Sequence, residues 1–261
     1  MHQPIAGKAG GIFARQLEIC AETLQACSAA EVGGADRIEL CVALGEGGVS
    51  PSRGLLKEAL DIVSVPVHVL IRPRTGDFVY TAAEFRALLK DVDDALTAGS
   101  AGIVVGILTS GYEIDRLRLH ELIRMSGSCP VTFHRAFDQV EDLARSLEML
   151  IDLGCERVLS SGGTPSVDQG LGRLSKLVNQ ADGRIRIAAG GGVTVENAAR
   201  IASVDGLDLH ASLRAKSTSP ATAADPLWGV AGGTISVDAV RLLGRIVHGS
   251  ASLCLEDSAL R

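Results

Sequence analysis

Eight short runs rich in aliphatic and β-branched residues recur along the chain, and longer segments with helical periodicity lie between them. This alternation is the tightest constraint on the fold. Parallel strands joined by crossover helices either close into a barrel or lie in an open, doubly wound sheet. The predicted strands are Leu17–Cys20, Arg37–Cys41, Val67–Ile71, Gly102–Val105, Val131–His134, Arg157–Ser160, Arg186–Ala189 and Leu207–His210. Helical period is plain in T-A-A-E-F-R-A-L-L-K-D-V-D-D-A-L from Thr81 and in D-L-A-R-S-L-E-M-L-I-D-L from Asp142. Glycines stand where helices should stop before a strand, at Gly33-Gly34, Gly99 and Gly154. Eight repeats in 261 residues fit a single-domain (β/α)8 TIM barrel, an α/β fold, with the open sheet as the alternative. The barrel domain is expected over residues 17–261, after an N-terminal extension of residues 1–16. Its last helix is displaced to about Val237–Val247, behind a Ser/Thr/Ala/Pro/Gly-rich loop from Ala215 to Thr234. Loops of that length are usually functional or mobile.

Composition removes several functions. Aromatics are 3% of the residues and the formal charge is -6, which suits neither base stacking nor a phosphate backbone, so nucleic acid is not an expected partner. No apolar run approaches the roughly 18 residues that a membrane span needs. The first residues, M-H-Q-P-I-A-G-K, lack the continuous apolar stretch of a signal peptide. Six irregularly spaced cysteines in a chain this long do not read as a disulfide framework. Reduced thiols in the cytoplasm are the expectation.

Strand side chains alternate, and in a closed parallel barrel one face meets the helices while the other fills the interior. With Leu17, Ile19, Ile38 and Leu40 on the helix side, L-E-I-C and I-E-L-C send Glu18, Cys20, Glu39 and Cys41 inward. The same rule sends His68, Leu70 and Arg72 inward from the third strand, and Thr132 and His134 from the fifth. From the eighth it sends Asp208, His210 and Ser212. Buried ions cost several kcal/mol each unless paired, so Glu18 and Glu39 need partners, for which Arg72, Arg74 and His134 are the candidates. Two readings follow. The charges form a structural network, or Glu18, Glu39, Arg72 and His134 are the acid/base groups of an enzyme acting on a small anionic substrate that bears phosphate or carboxylate.

Of the six cysteines only Cys20 and Cys41 reach the C-terminal mouth, on adjacent strands about 5 Å apart. No C-x-x-C or Met-rich ligand run is present, so spacing alone leaves a metal site and a pair of small buried hydrophobes both open. Glycine-rich turns follow the sixth and seventh strands, S-S-G-G-T-P-S and A-G-G-G-V-T. Backbone N–H groups in such turns often hold phosphate in barrels of this kind. Candidate anion ligands are therefore Ser161, Gly162, Gly191 and Gly192, with Arg74, His210 and Ser212 at the same mouth.

The ordered series L-E-I-C at 17, G-G-A-D-R-I-E-L-C at 33, E-G-G-V-S-P-S-R-G at 46, I-R-P-R-T-G-D-F-V-Y at 71, V-T-F-H-R-A-F-D at 131 and R-V-L-S-S-G at 157 resembles the CutC family of copper-homeostasis proteins. The likeness runs from about residue 16 to 216 and fades at S-T-S-P-A-T-A-A-D-P-L-W-G-V-A-G-G. It implies a cytosolic TIM barrel, often oligomeric, that handles Cu(I) through Cys20 and Cys41.

Overall fold

The computed structural model describes residues 14–214 and 234–249. Eight strands, β1 (Leu17–Ala21), β2 (Arg37–Leu40), β3 (Val67–Leu70), β4 (Gly102–Val105), β5 (Val131–Phe133), β6 (Arg157–Ser160), β7 (Arg186–Ala189) and β8 (Leu207–Ala211), pair in parallel and in chain order. β8 returns to β1, with Glu18 opposite His210, so the sheet is a closed barrel and the open alternative is excluded. Each strand is followed by a helix: α1 (Leu24–Val32), α2 (Arg53–Ile62), α3 (Ala82–Ala98), α4 (Arg116–Ser126), α5 (Leu143–Leu153), α6 (Val167–Ala181), α7 (Val195–Ala202) and α8 (Val237–Val247). Side-chain caps start two of the helices whose period is plain in the sequence. Thr81 and Glu84 cap α3 reciprocally, and Asp142 accepts from the Arg145 amide at the start of α5. Nearly all of the loop expected between Ala215 and Thr234, and the N-terminal extension up to residue 13, lie outside the described residues.

Two cores of unequal size result. The large one lies between strands and helices, where Ile19, Ile38, Val69, Ile103, Phe133, Val158 and Leu209 point outward from the sheet into the helix layer. Inside the barrel the apolar cluster shrinks to Cys20, Cys41, Leu70 and Val104. Much of the remaining interior is polar. Room for it comes from β4 and the residue just beyond it. A Cβ at Gly102 would lie 2.2 Å from the His68 ring, and one at Gly106 would lie 2.0 Å from the His134 ring. Only glycine lets the two imidazoles cross the interior at those levels.

The floor of the barrel is a buried charge network. Glu18 Oε2 accepts from Arg37 Nε at 2.5 Å and from Arg157 at 3.2 Å, and its Oε1 meets His210 Nδ1 at 2.7 Å. Arg157, fully buried, reaches on to Asp208 at 2.6 Å, and Arg186 holds the same carboxylate through both oxygens. These partners correct the sequence-based expectation. Arg72 does not face the two glutamates with its guanidinium. It donates to the carbonyls of Glu46, Gly48 and Gly76 and stacks on Phe78, tying two loops together. Arg74 is half-exposed, paired with Glu84 and Asp77 and laid over Tyr80. The alternation rule, extended to every strand, also sends Arg37, Arg157 and Arg186 inward, although none of them is among the partners named from sequence. That signal was legible.

Burial by itself would raise the Glu18 pKa, but the Arg37 charge and the bond from His210 outweigh it and hold the carboxyl well below the usual range. Glu18 therefore supports the fold above the carboxylate range and ceases to as pH falls through its depressed value. Glu18→Gln should lower stability at pH 7 by roughly 3–5 kcal/mol, because Arg37 and Arg157 lose their counter-charge. Urea melts should show the gap closing as pH drops below about 4; a gap that stays constant with pH would contradict the network's role.

Candidate functional site

Above this floor, at the C-terminal mouth, a cavity of about 280 Å³ opens between the loops. One side is Cys20, Glu39 and His210; the other is His134, Arg135 and the turn Gly191–Val193, with Ser212 at the rim. Of the residues predicted for the site, the structure brings Cys20, Glu39, His134, Gly191, Gly192, His210 and Ser212 together around one space. Glu18 lies beneath it, Cys41 behind Cys20, and Arg72 and Arg74 in the loops beside it. Arg135 and Val193 are absent from the candidate ligands above, although Arg135 stands beside His134 in V-T-F-H-R-A-F-D.

The Sγ atoms of Cys20 and Cys41 are 3.4 Å apart, and Glu39 Oε1 is 3.9 Å from Cys20 Sγ. The ligand atoms of Cys20, Glu39 and His210 lie within 4.8 Å of one another. The strand register explains the approach, since Cys20 sits directly opposite Glu39 on β2, with Cys41 two residues further on. Gly48 packs over this wall: a Cβ there would lie 2.8 Å from Leu70 Cδ2 and in ordinary contact, 3.6 Å, with the Cys41 sulfur. The hydrogen bond to Cys41, then burial, then the neighbouring carboxylates push the Cys20 thiol well above its ordinary range. Burial, with Glu18 adding to it, raises Glu39 to about 7, against the opposing pull of His210 and Arg37. Its Oε2 is buried without a hydrogen-bond partner among the described residues. Burial alone would lower His210, but Glu39 and Glu18 outweigh it and favour the imidazolium.

The other side is built differently. His134 Nδ1 accepts from the Ala136 amide at 3.0 Å, so the neutral ring carries its proton on Nε2, and that atom has no partner among the described residues. Arg135 is oriented by Asp138 (2.8 Å) and Ser161 (2.8 Å), and its guanidinium lies under Gly191, where a Cβ would come within 2.8 Å of it. Gly191 has φ 90° and Gly192 φ 92°, a conformation open to glycine at little cost. The turn after β6 is organised otherwise than its glycines suggested. Asp138 accepts from the amides of Ser161 and Gly163, and Gly162 N–H goes to Ser160 Oγ. Ser161 Oγ is engaged with Asp138 and the Thr164 carbonyl. Ser161 and Gly162 have thus spent their donors internally, and the carboxylate already held in that turn is Asp138.

These particulars meet known proteins at one place. The CutC family model matches residues 15–215. The chain belongs to the CutC family. It is 46% identical over 201 residues to a CutC family protein of Bacteroides thetaiotaomicron, covering 76% of this chain and 81% of that one. It is 43% identical over 210 residues to the human copper homeostasis protein cutC homolog, covering 80% and 77%. The crystal structure of CutC from Streptococcus agalactiae superposes with a TM-score of 0.73 at 35% identity, over 76% of this chain and 98% of that one. The family match ends at 215, beside Lys216, where the resemblance in sequence fades.

Burial lowers both interior histidines, His68 with help from Arg37 and His134 with help from Arg72, each to about 3. Their folded values lie below the unfolded value, so each is a source of acid lability: its favourable effect is complete above about pH 6.5 and is lost as pH falls toward 3. The stability of the native protein relative to His134→Phe should therefore decline between those limits. Denaturant melts across that range check it, and a difference independent of pH would refute the neutral, buried imidazole. Taking the difference removes Glu39, whose raised value acts in the opposite sense.

Proposed function

We propose that the mouth of the barrel binds copper as Cu(I), carried on the thiols of Cys20 and Cys41 with Glu39 and His210 beside them. The observation that supports this most is the 3.4 Å approach of the two sulfurs, at a place where a third and a fourth ligand atom lie close by. Soft sulfur ligands select Cu(I), which is content with two of them. The donor set fits a cation in a second respect. Glu39 Oε2 is a buried acceptor with nothing to accept from, and a positive ion next to Cys20 would satisfy it. Copper is here the cargo of a homeostasis protein. The same reading places the chain in the reducing cytoplasm, where such thiols persist, and as a homo-oligomer in keeping with the family. Among the described residues no helix is long and apolar enough to cross a membrane.

A second reading, acid/base chemistry on a small anion by Glu39 and His134, is favoured by the cavity. Its 280 Å³ is far more than one metal ion needs and approaches the range of about 300–1,000 Å³ common for small-molecule sites. Glu18 and Arg72 would then support the site from below and beside it.

Cu(I) competition titrations on the reduced, full-length protein test the copper reading. Cys20→Ser and Cys41→Ser should each weaken binding by more than the roughly 10–100-fold that loss of an outer-shell partner costs. Cys155→Ser, whose thiol precedes β6 at the opposite end of the barrel, should leave it unchanged. Stoichiometric Cu(I) retained by the Cys20→Ser/Cys41→Ser double variant would overturn the assignment.

A further inference from the structure

The thiol side accounts for only part of the mouth. Across the cavity stands a set of hydrogen-bond donors with no acceptors. His134 is 6% exposed and lines the cavity, and its Nε2–H has no partner among the described residues. Its tautomer is fixed by the Ala136 amide, so this atom can only donate. Arg135 uses Nε and one terminal nitrogen on Asp138, Ser161 and Thr164, while its other terminal nitrogen makes no hydrogen bond among the described residues. The amides of Gly191, Gly192 and Val193 likewise donate to nothing among the described residues. The turn is held open from behind: the Gly191 carbonyl accepts from the Val167 amide, and the Gly192 carbonyl from Asn197. Asn197 also accepts from the Thr194 amide, setting the first turn of α7 directly after Val193.

The His134 Nε2–H is buried, and a buried donor without an acceptor costs free energy; the more open Arg135 and turn amides border the same space. A guanidinium, a neutral imidazole N–H and a run of amides leading into a helix N-terminus together suit an oxyanion. Several acceptor oxygens on one centre can meet donors of these kinds together. We propose that this side of the cavity seats the phosphate of a small organic phosphate monoester, whose organic part extends across the cavity toward Glu39 and His210. A phosphate monoester presents three terminal oxygens tetrahedrally, one toward each kind of donor, whereas a carboxylate presents two in one plane. The inference deepens the second reading above by naming its ligand class, yet it requires neither turnover nor copper.

The test uses the full-length, reduced, copper-free protein, with inorganic phosphate and glycerol phosphate as probes in calorimetric titration. Amide and imidazole NMR shifts are followed in parallel. Both probes should bind saturably, glycerol phosphate more tightly, with shifts at Gly191, Gly192 and the His134 Nε2–H. His134→Phe and Arg135→Gln should each weaken glycerol phosphate at least tenfold, while Arg53→Gln, which removes a surface charge elsewhere, should not. Arg135 also braces Asp138, so its variant counts only if its melting curve shows it folded; His134→Phe keeps the proposal testable if it is not. Absence of saturable phosphate binding, equal affinity in the native protein and His134→Phe, or acetate and succinate binding as tightly as phosphate would each overturn the proposal. Since no step involves turnover, failure here rejects the phosphate seat, whereas phosphate binding without any detectable conversion would reject only the catalytic reading.

Discussion

The structure depends on charges that a barrel interior does not ordinarily contain. Three guanidiniums and two carboxylates, from Arg37, Arg157, Arg186, Glu18 and Asp208, interlock where most barrels of this kind would stack Val, Ile and Leu. Burying an ion in a low-dielectric core costs several kcal/mol, and only close pairing with full hydrogen bonding offsets it. That condition is met by geometry across the ring. Arg157 on β6 reaches both Glu18 on β1 and Asp208 on β8, so one side chain couples opposite walls. A one-residue slip in any of these strands would turn its charged residues toward the helices and strand the partners. The network therefore fixes register as well as contributing energy.

The mouth inherits its electrostatics from this floor. Glu18 is held ionised by Arg37 and turns its other oxygen to His210, and His210 favours the charged form because two carboxylates flank it. Glu39, one layer higher, has no arginine of its own. Burial and the nearby Glu18 charge raise it to about 7, so two glutamates in equivalent sequence contexts differ widely in acidity. The opening strands L-E-I-C and I-E-L-C look like repeats, but the first carboxylate belongs to the floor and the second to the cavity. Their cysteines meet because the stagger of parallel strands places Cys20 opposite Glu39 rather than opposite Cys41.

Much of the fold was readable from local sequence. Strand alternation assigned an inward direction to Glu18, Cys20, Glu39, Cys41, His68 and His134, all of which the barrel buries. What alternation does not carry is depth. Arg72 lies two residues past the end of β3, beyond the closed part of the barrel, so its long side chain is claimed by loop carbonyls instead of a glutamate. Partners could not be read for the same reason: Arg157 lies 139 residues from Glu18, and only closure of the ring joins them. The glycine turns misled in a different way. S-S-G-G and A-G-G-G look alike as letters, but Asp138, reaching over from the segment after β5, consumes the amides of the first and leaves the second untouched. A donor count needs the whole acceptor inventory, and that inventory is tertiary.

The two sides of the cavity are different chemically because different neighbours make them. On β1 and β2 the available groups are sulfur and carboxylate, acceptors and soft ligands, which gather positive charge. On the loops after β5 and β7 they are amides, a guanidinium and an imidazole that its surroundings keep neutral. That neutrality follows from Arg72, whose charge is anchored close to His134 by three carbonyls and which, with burial, makes a second positive charge there unfavourable. Arg72 thus acts on the cavity without entering it: with burial it keeps His134 neutral, and the Ala136 amide on Nδ1 then leaves the ring one outward donor. A ligand that spans the space must present acceptors to one wall and a cation or a donor to the other. The asymmetry of the mouth, more than any single residue in it, restricts what can occupy this barrel.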